Sequence, residues 1–222
     1  MEEVISGAGS VSDAPGWHNV GMADPVDLLV LSVPGLSARM LRQHEADLPQ
    51  IGKLATHSGA TLVVPDDASP AQLEAALITG LLPEFLVSTD TRESRGRPFW
   101  QSANVSAHVS TQFPLPVAWR AFAKSPRLEW RTLSAVDSSS TIHPPLVVAE
   151  QHIADAPADH AVVLLSAWAL AGGKVAGQNA HPLDRPVLLA RGFEQTKTCM
   201  GLLEVAGLLQ RALTGERLVD EL

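Results

Sequence analysis

Apolar residues recur along this chain in two rhythms. Asp27 to Val33 reads DLLVLSV, an almost unbroken apolar run closed by Pro34-Gly35. A run without polar alternation predicts a strand buried on both faces, as in the middle of a parallel sheet. Ala161 to Leu165 (AVVLL) repeats that signature, and Thr61 to Val64 (TLVV) and Val187 to Ala190 (VLLA) carry a weaker form of it. Leu128 to Leu133 and Leu146 to Val148 are predicted as further short strands.

Between these runs the period lengthens to that of a helix. Ser37 is placed to cap a helix beginning near Ala38. Pro49 suits the first turn of a second helix, which runs through Ser58 and stops at Gly59. In Pro70 to Thr79 (PAQLEAALIT), proline opens the helix, Leu73, Ala76 and Leu77 share a face, and Gly80 ends it. Val117 to Ala123 is predicted as a short helix. Cys199, Leu202, Leu203, Ala206, Leu209 and Leu213 recur at helical spacing up to Gly215, so Cys199 is expected on a buried apolar face.

Strands alternating with helices predict an α/β fold, three layers in α/β/α order around a mostly parallel sheet. Residues 1–23, rich in Gly, Ser and Ala and without period, read as a flexible leader. One domain is expected over 24–222, with an irregular insertion at about 81–114 around Phe99-Trp100. Ligands of such sheets bind beyond the carboxyl ends of the strands. The loops after Val33, Val64, Leu165 and Ala190 are therefore the places to look.

Composition narrows the function classes. With 222 residues, 45% hydrophobic and 18% charged, the chain is long and apolar enough for one globular core. A net charge of -8 argues against nucleic acid or an anionic membrane as ligand, and Arg92, Arg95 and Arg97 are offset by Asp90 and Glu93. The lone Cys199 allows no intrachain disulfide and no cysteine-based metal site. No apolar run reaches membrane-spanning length and no secretory signal is visible, so a cytoplasmic location is expected.

Three stretches, in order, carry a resemblance. The first is DLLVLSVPGL followed by Pro49-Gln50-Ile51, Leu54-Ala55 and Gly59-Ala60. The second is Thr79-Gly80-Leu81-Leu82-Pro83-Glu84, with Phe99-Trp100-Gln101-Ser102 beyond it. The third is Ala161 to Gly173 with His181 to Ala190. Together they resemble the alkaline phosphatase–sulfatase superfamily, including its nucleotide pyrophosphatase/phosphodiesterase branch. That resemblance implies an alkaline phosphatase-like core that cleaves phosphate or sulfate esters, with a hydroxyl or aldehyde-hydrate nucleophile and bound divalent metal ions.

Carried over position by position, the chemistry thins out. Pro34 stands where the resemblance implies a metal-binding carboxylate, and Ala167-Trp168 where it implies an Asp-His ligand pair. The implied nucleophile position falls on Pro70, one residue from Ser69, with Asp66 and Asp67 close by. His181 alone fits an implied ligand position. The resemblance thus implies a shortened, degenerate member without ester hydrolase activity and without a cofactor. It would act as a binding or scaffold protein for a protein partner or for itself. The alternative is an atypical hydrolase using zinc, calcium or manganese held by Asp66, Asp67 and His181, with Ser69 as nucleophile. Ser69 before Pro70 equally suits a helix N-cap, and adjacent acids equally suit a solvated turn.

Overall fold

The computed structural model describes residues 25–57, 59–81, 96–111, 117–136, 143–171, 173–192 and 197–215. The expected leader 1–23 and, of the expected insertion, residues 82–95 and 112–114 lie outside the described residues.

Strand β1 (Leu28–Ser32) is buried at every position. Its side chains divide by alternation: Leu28 and Val30 join one core, Leu29 and Leu31 the other. The chain continues through α1 (Ala38–His44), α2 (Pro49–His57), β2 (Gly59–Val63), α3 (Pro70–Thr79), α4 (Phe99–Ser102), β3 (Ala107–Ser110) and β4 (Leu128–Thr132). It then forms α5 (Pro144–Asp155), β5 (Ala161–Leu165), a small β6–β7 hairpin (Leu170–Ala171 and Lys174–Val175), β8 (Val187–Arg191), β9 (Cys199–Gly201) and α6 (Leu202–Thr214). Seven strands form one sheet in the order β3-β4-β1-β5-β8-β2-β9. All pairings are parallel except those of β8, which runs against both β5 and β2.

Helices α3, α4 and α6 supply the core on one face, including Leu77, Trp100 and Leu209. Helices α1, α2 and α5 supply the other, including Leu41, Ile51 and Leu146. The result is the expected α/β/α layering. Among the described residues no helix is long and apolar enough to cross a membrane.

Four local expectations are corrected. Leu146 to Val148 lies in α5, not in a strand: Pro144-Pro145 starts a helix whose buried stripe is Leu146, Ala149 and Ile153. Cys199 is an exposed residue of the edge strand β9, because the chain pairs with β2 for three residues before α6 begins at Leu202. The segment expected as irregular contains α4 and the edge strand β3. At 117–123, only Val117–Trp119 forms a 3-10 turn, and Ala121 and Ala123 then hydrogen-bond along β3.

Candidate functional site

The reversal of β8 decides which loops meet. The loop after Ala190 leaves at the opposite edge, where Gly192 packs against Ala161, the first residue of β5. The segment before β8, carrying His181, comes instead to the carboxyl-terminal edge, where Ser37 bridges to Pro186. Loops after β1, β2, β4 and β5 end there too. Asp66, Asp67, Ser69, His181, Pro34, Ala167 and Trp168 therefore all lie along one edge of the sheet.

The centre of that edge is closed. The N–H of Val33 donates to the Leu165 carbonyl and that of Gly35 to the Trp168 carbonyl. The N–H of Val136 donates to the Pro34 carbonyl. These bonds press the loop after β1 onto the loop after β5. Pro34 and Ala167 are buried and Trp168 is 9% exposed. Gly35, at φ 86°, lies so close to Val136 that a Cβ would stand 2.9 Å from its carbonyl oxygen, so the turn has no room for a side chain.

Beneath this plug lies a polar row. Ser32 and Thr132 are register partners on β1 and β4, and both are buried. The Trp130 indole N–H donates to Thr132 Oγ1 at 3.1 Å. Ser32 Oγ donates to Glu74 Oε1 at 3.4 Å. Glu74, on α3, is 2% exposed. Burial pushes its carboxyl up to about 8, against a smaller downward pull from the Ser32 hydroxyl, so the group is mainly protonated at neutral pH. The indole N–H groups of Trp100 and Trp168 are also buried, without a hydrogen-bond partner among the described residues.

The outer loops are polar and exposed. Ser69 caps α3: its hydroxyl accepts from the Gln72 N–H, and the Gln72 side chain accepts from the Ser69 N–H. Asp67 occupies the left-handed region at φ 61°. Asp66 Oδ1 accepts from the Gln178 N–H at 3.0 Å, which brings its loop against the segment leading to His181. His181 Nδ1 accepts from the Leu183 N–H at 3.2 Å. Arg185 stiffens that segment by donating to the carbonyls of Ala180 and Gln178. Among the described residues no three carboxylate, imidazole or thiol groups converge as a metal site requires.

Glu74 is absent from the candidate residues that the sequence pattern singles out. Its signal was present: it is the one charged residue in the ten of PAQLEAALIT, beside Leu73 on the apolar side. A separate groove of about 660 Å³ lies between α1, α2 and the β2–β8 pair, lined by Leu41, Arg42, Glu45, Thr61 and Leu189 among others.

The fold and this edge define the class: a three-layer α/β domain with a mixed seven-stranded sheet and an apolar plug at the carboxyl-terminal edge of its parallel strands. No protein-family profile and no curated protein matches this chain.

Proposed function

We propose that this chain is a binding domain of the alkaline phosphatase–sulfatase type that does not hydrolyse esters, acting on a protein partner or on its own kind, in the cytoplasm. The observation that carries the reading is the burial of Pro34, Ala167 and Trp168 at the sheet edge. A hydrolytic metal site needs oxygen or nitrogen ligands and a path for substrate at that place. The apolar plug offers neither. Exposed apolar side chains elsewhere, Val117 and Phe122 near β3 and Val147 and Val148 on α5, supply surface suited to a protein partner.

A second reading keeps one supporting observation. The hydrogen bond from Gln178 to Asp66 draws together the loops that carry Asp66 and His181, two of the three metal ligands an atypical hydrolase would use.

One experiment separates the two. The purified chain is analysed for bound metals and assayed against aryl phosphate, phosphodiester and aryl sulfate, with light scattering to report self-association. The expected result is substoichiometric metal and no turnover above buffer containing the same ions. Stoichiometric zinc, calcium or manganese, with turnover lost in Ser69→Ala and Asp66→Ala, would overturn the binding reading in favour of the hydrolase.

A further inference from the structure

Helix α3 carries one charged side chain, and that side chain is inside the protein. Glu74 sits under the helix against the end of β1, with the Ser32 hydroxyl as its hydrogen-bond partner. The remaining side chains on that side, Leu73, Ala76, Leu77 and Ile78, are apolar. A carboxylate in such surroundings loses its hydration and gains no cation in return. Left-handed residues flank the helix where a rotation could be absorbed, Asp67 at φ 61° in the turn before the Ser69 cap and Gly80 at φ 68° as the C-cap.

We propose that α3 is a proton-linked latch: protonated Glu74 holds the helix against β1, and loss of that proton releases it and uncovers Ser32. Among the described residues, the charged groups on the elements around it are Asp66 and Asp67 in the preceding loop and Glu204 and Arg211 on α6. None of them enters the electrostatics of Glu74, which are set by burial and by Ser32. The closed form keeps its proton up to about pH 8, whereas a released, solvated carboxyl keeps one only to about the unperturbed value of 4.5. Between those values the closed form binds one proton more than the released form. Each unit of rising pH therefore favours release about tenfold, and above the upper value the effect levels off.

Hydrogen exchange read by mass spectrometry tests this on the full chain between pH 5.5 and 7.5. After correction for intrinsic base-catalysed exchange, the opening constant of peptides covering Pro70–Thr79 is expected to rise about tenfold per pH unit. In Glu74→Gln the rise is expected to vanish. In Ser32→Ala, which removes the hydroxyl that favours ionisation, it is expected to persist across the same range. A flat profile in the native chain, the same rise in Glu74→Gln, or an equal rise in β1 and β5 peptides (global unfolding instead of release) would each overturn the proposal.

Discussion

Asp66 and Gly177 stand so close that a Cβ on Gly177 would lie 1.8 Å from Asp66 Oδ1. The same oxygen accepts the N–H of Gln178, 112 positions further along the chain, so one small residue beside it gives the Asp66 loop its place on the segment before β8. Gly177→Ala must turn the Asp66 side chain away and break that bond. Gly177→Ala and Asp66→Ala are each expected to cost up to about 1 kcal/mol, the range of one exposed hydrogen bond. The double variant is expected to cost about the same as either single one, because both delete the same contact. Chemical denaturation of the four proteins checks the cycle, and simple additivity would show the two residues to be independent.

The amino terminus of α2 is capped by a neighbouring helix of the same layer. Pro49 has no N–H, and the next two, of Gln50 and Ile51, donate to the Glu150 carboxylate of α5 at 2.7 and 2.9 Å. A carboxylate at a helix amino terminus accepts charge-assisted bonds and opposes the helix dipole. Glu150→Ala is expected to cost about 1–2 kcal/mol, in the range of a lost cap. At about 2–4 °C per kcal/mol for a chain of this size, a thermal melt resolves it. Glu150→Gln should fall between, since its amide presents a single acceptor oxygen.

What was legible in the sequence follows from what one-dimensional pattern encodes. β1 and β5 stand out because burial on both faces makes every position apolar except Ser32 at the end of β1. Strand direction leaves no such trace: VLLA reads the same whichever way β8 runs, and its reversal is what exchanged the loop after Ala190 for the loop bearing His181. Leu146 to Val148 is ambiguous because three apolar residues suit either state, and the Pro144-Pro145 helix start outweighs β propensity. At Cys199 the helical spacing of the sequence runs back past Leu202 into a strand that only pairing with β2 specifies. In the site, the apolar character of Pro34, Ala167 and Trp168 is readable residue by residue. The pairing of Glu74 with Ser32 is not, because it depends on how α3 lies across the sheet.

His152 supplies a pH prediction of the opposite sign to Glu74. Partial burial and then the nearby Arg131 guanidinium, whose Nη1 lies 3.1 Å from Nδ1, hold its imidazole below the ordinary 6.5. Glu129 and Asp155 pull weakly the other way. The folded state thus gives up this proton earlier than the unfolded chain. Its contribution to stability is present above 6.5 and is lost as pH falls below it. An NMR titration is expected to place His152 below that value. Arg131→Met should move it upward, since the cation leaves and Glu129 loses its partner in the 2.5 Å Arg131–Glu129 pair. An unchanged midpoint in Arg131→Met would leave burial as the whole cause.

Ser69 distinguishes a structural from a chemical role within one set of variants. Its hydroxyl and the Gln72 side chain form a reciprocal capping box around the first turn of α3, directly before Pro70. Ser69→Ala is expected to cost about 1 kcal/mol, the usual loss for such a cap. Ser69→Asp should restore most of that stability, because its carboxylate accepts the Gln72 N–H and lies well at a helix amino terminus. Ester cleavage that begins from a free hydroxyl, by contrast, would be lost in Ser69→Asp as fully as in Ser69→Ala. Stability that follows the acceptor, being lost in Ser69→Ala and regained in Ser69→Asp, together with no hydrolysis in any of the three proteins, assigns Ser69 to the cap. Hydrolysis in the native chain that disappears in both variants would assign it to chemistry.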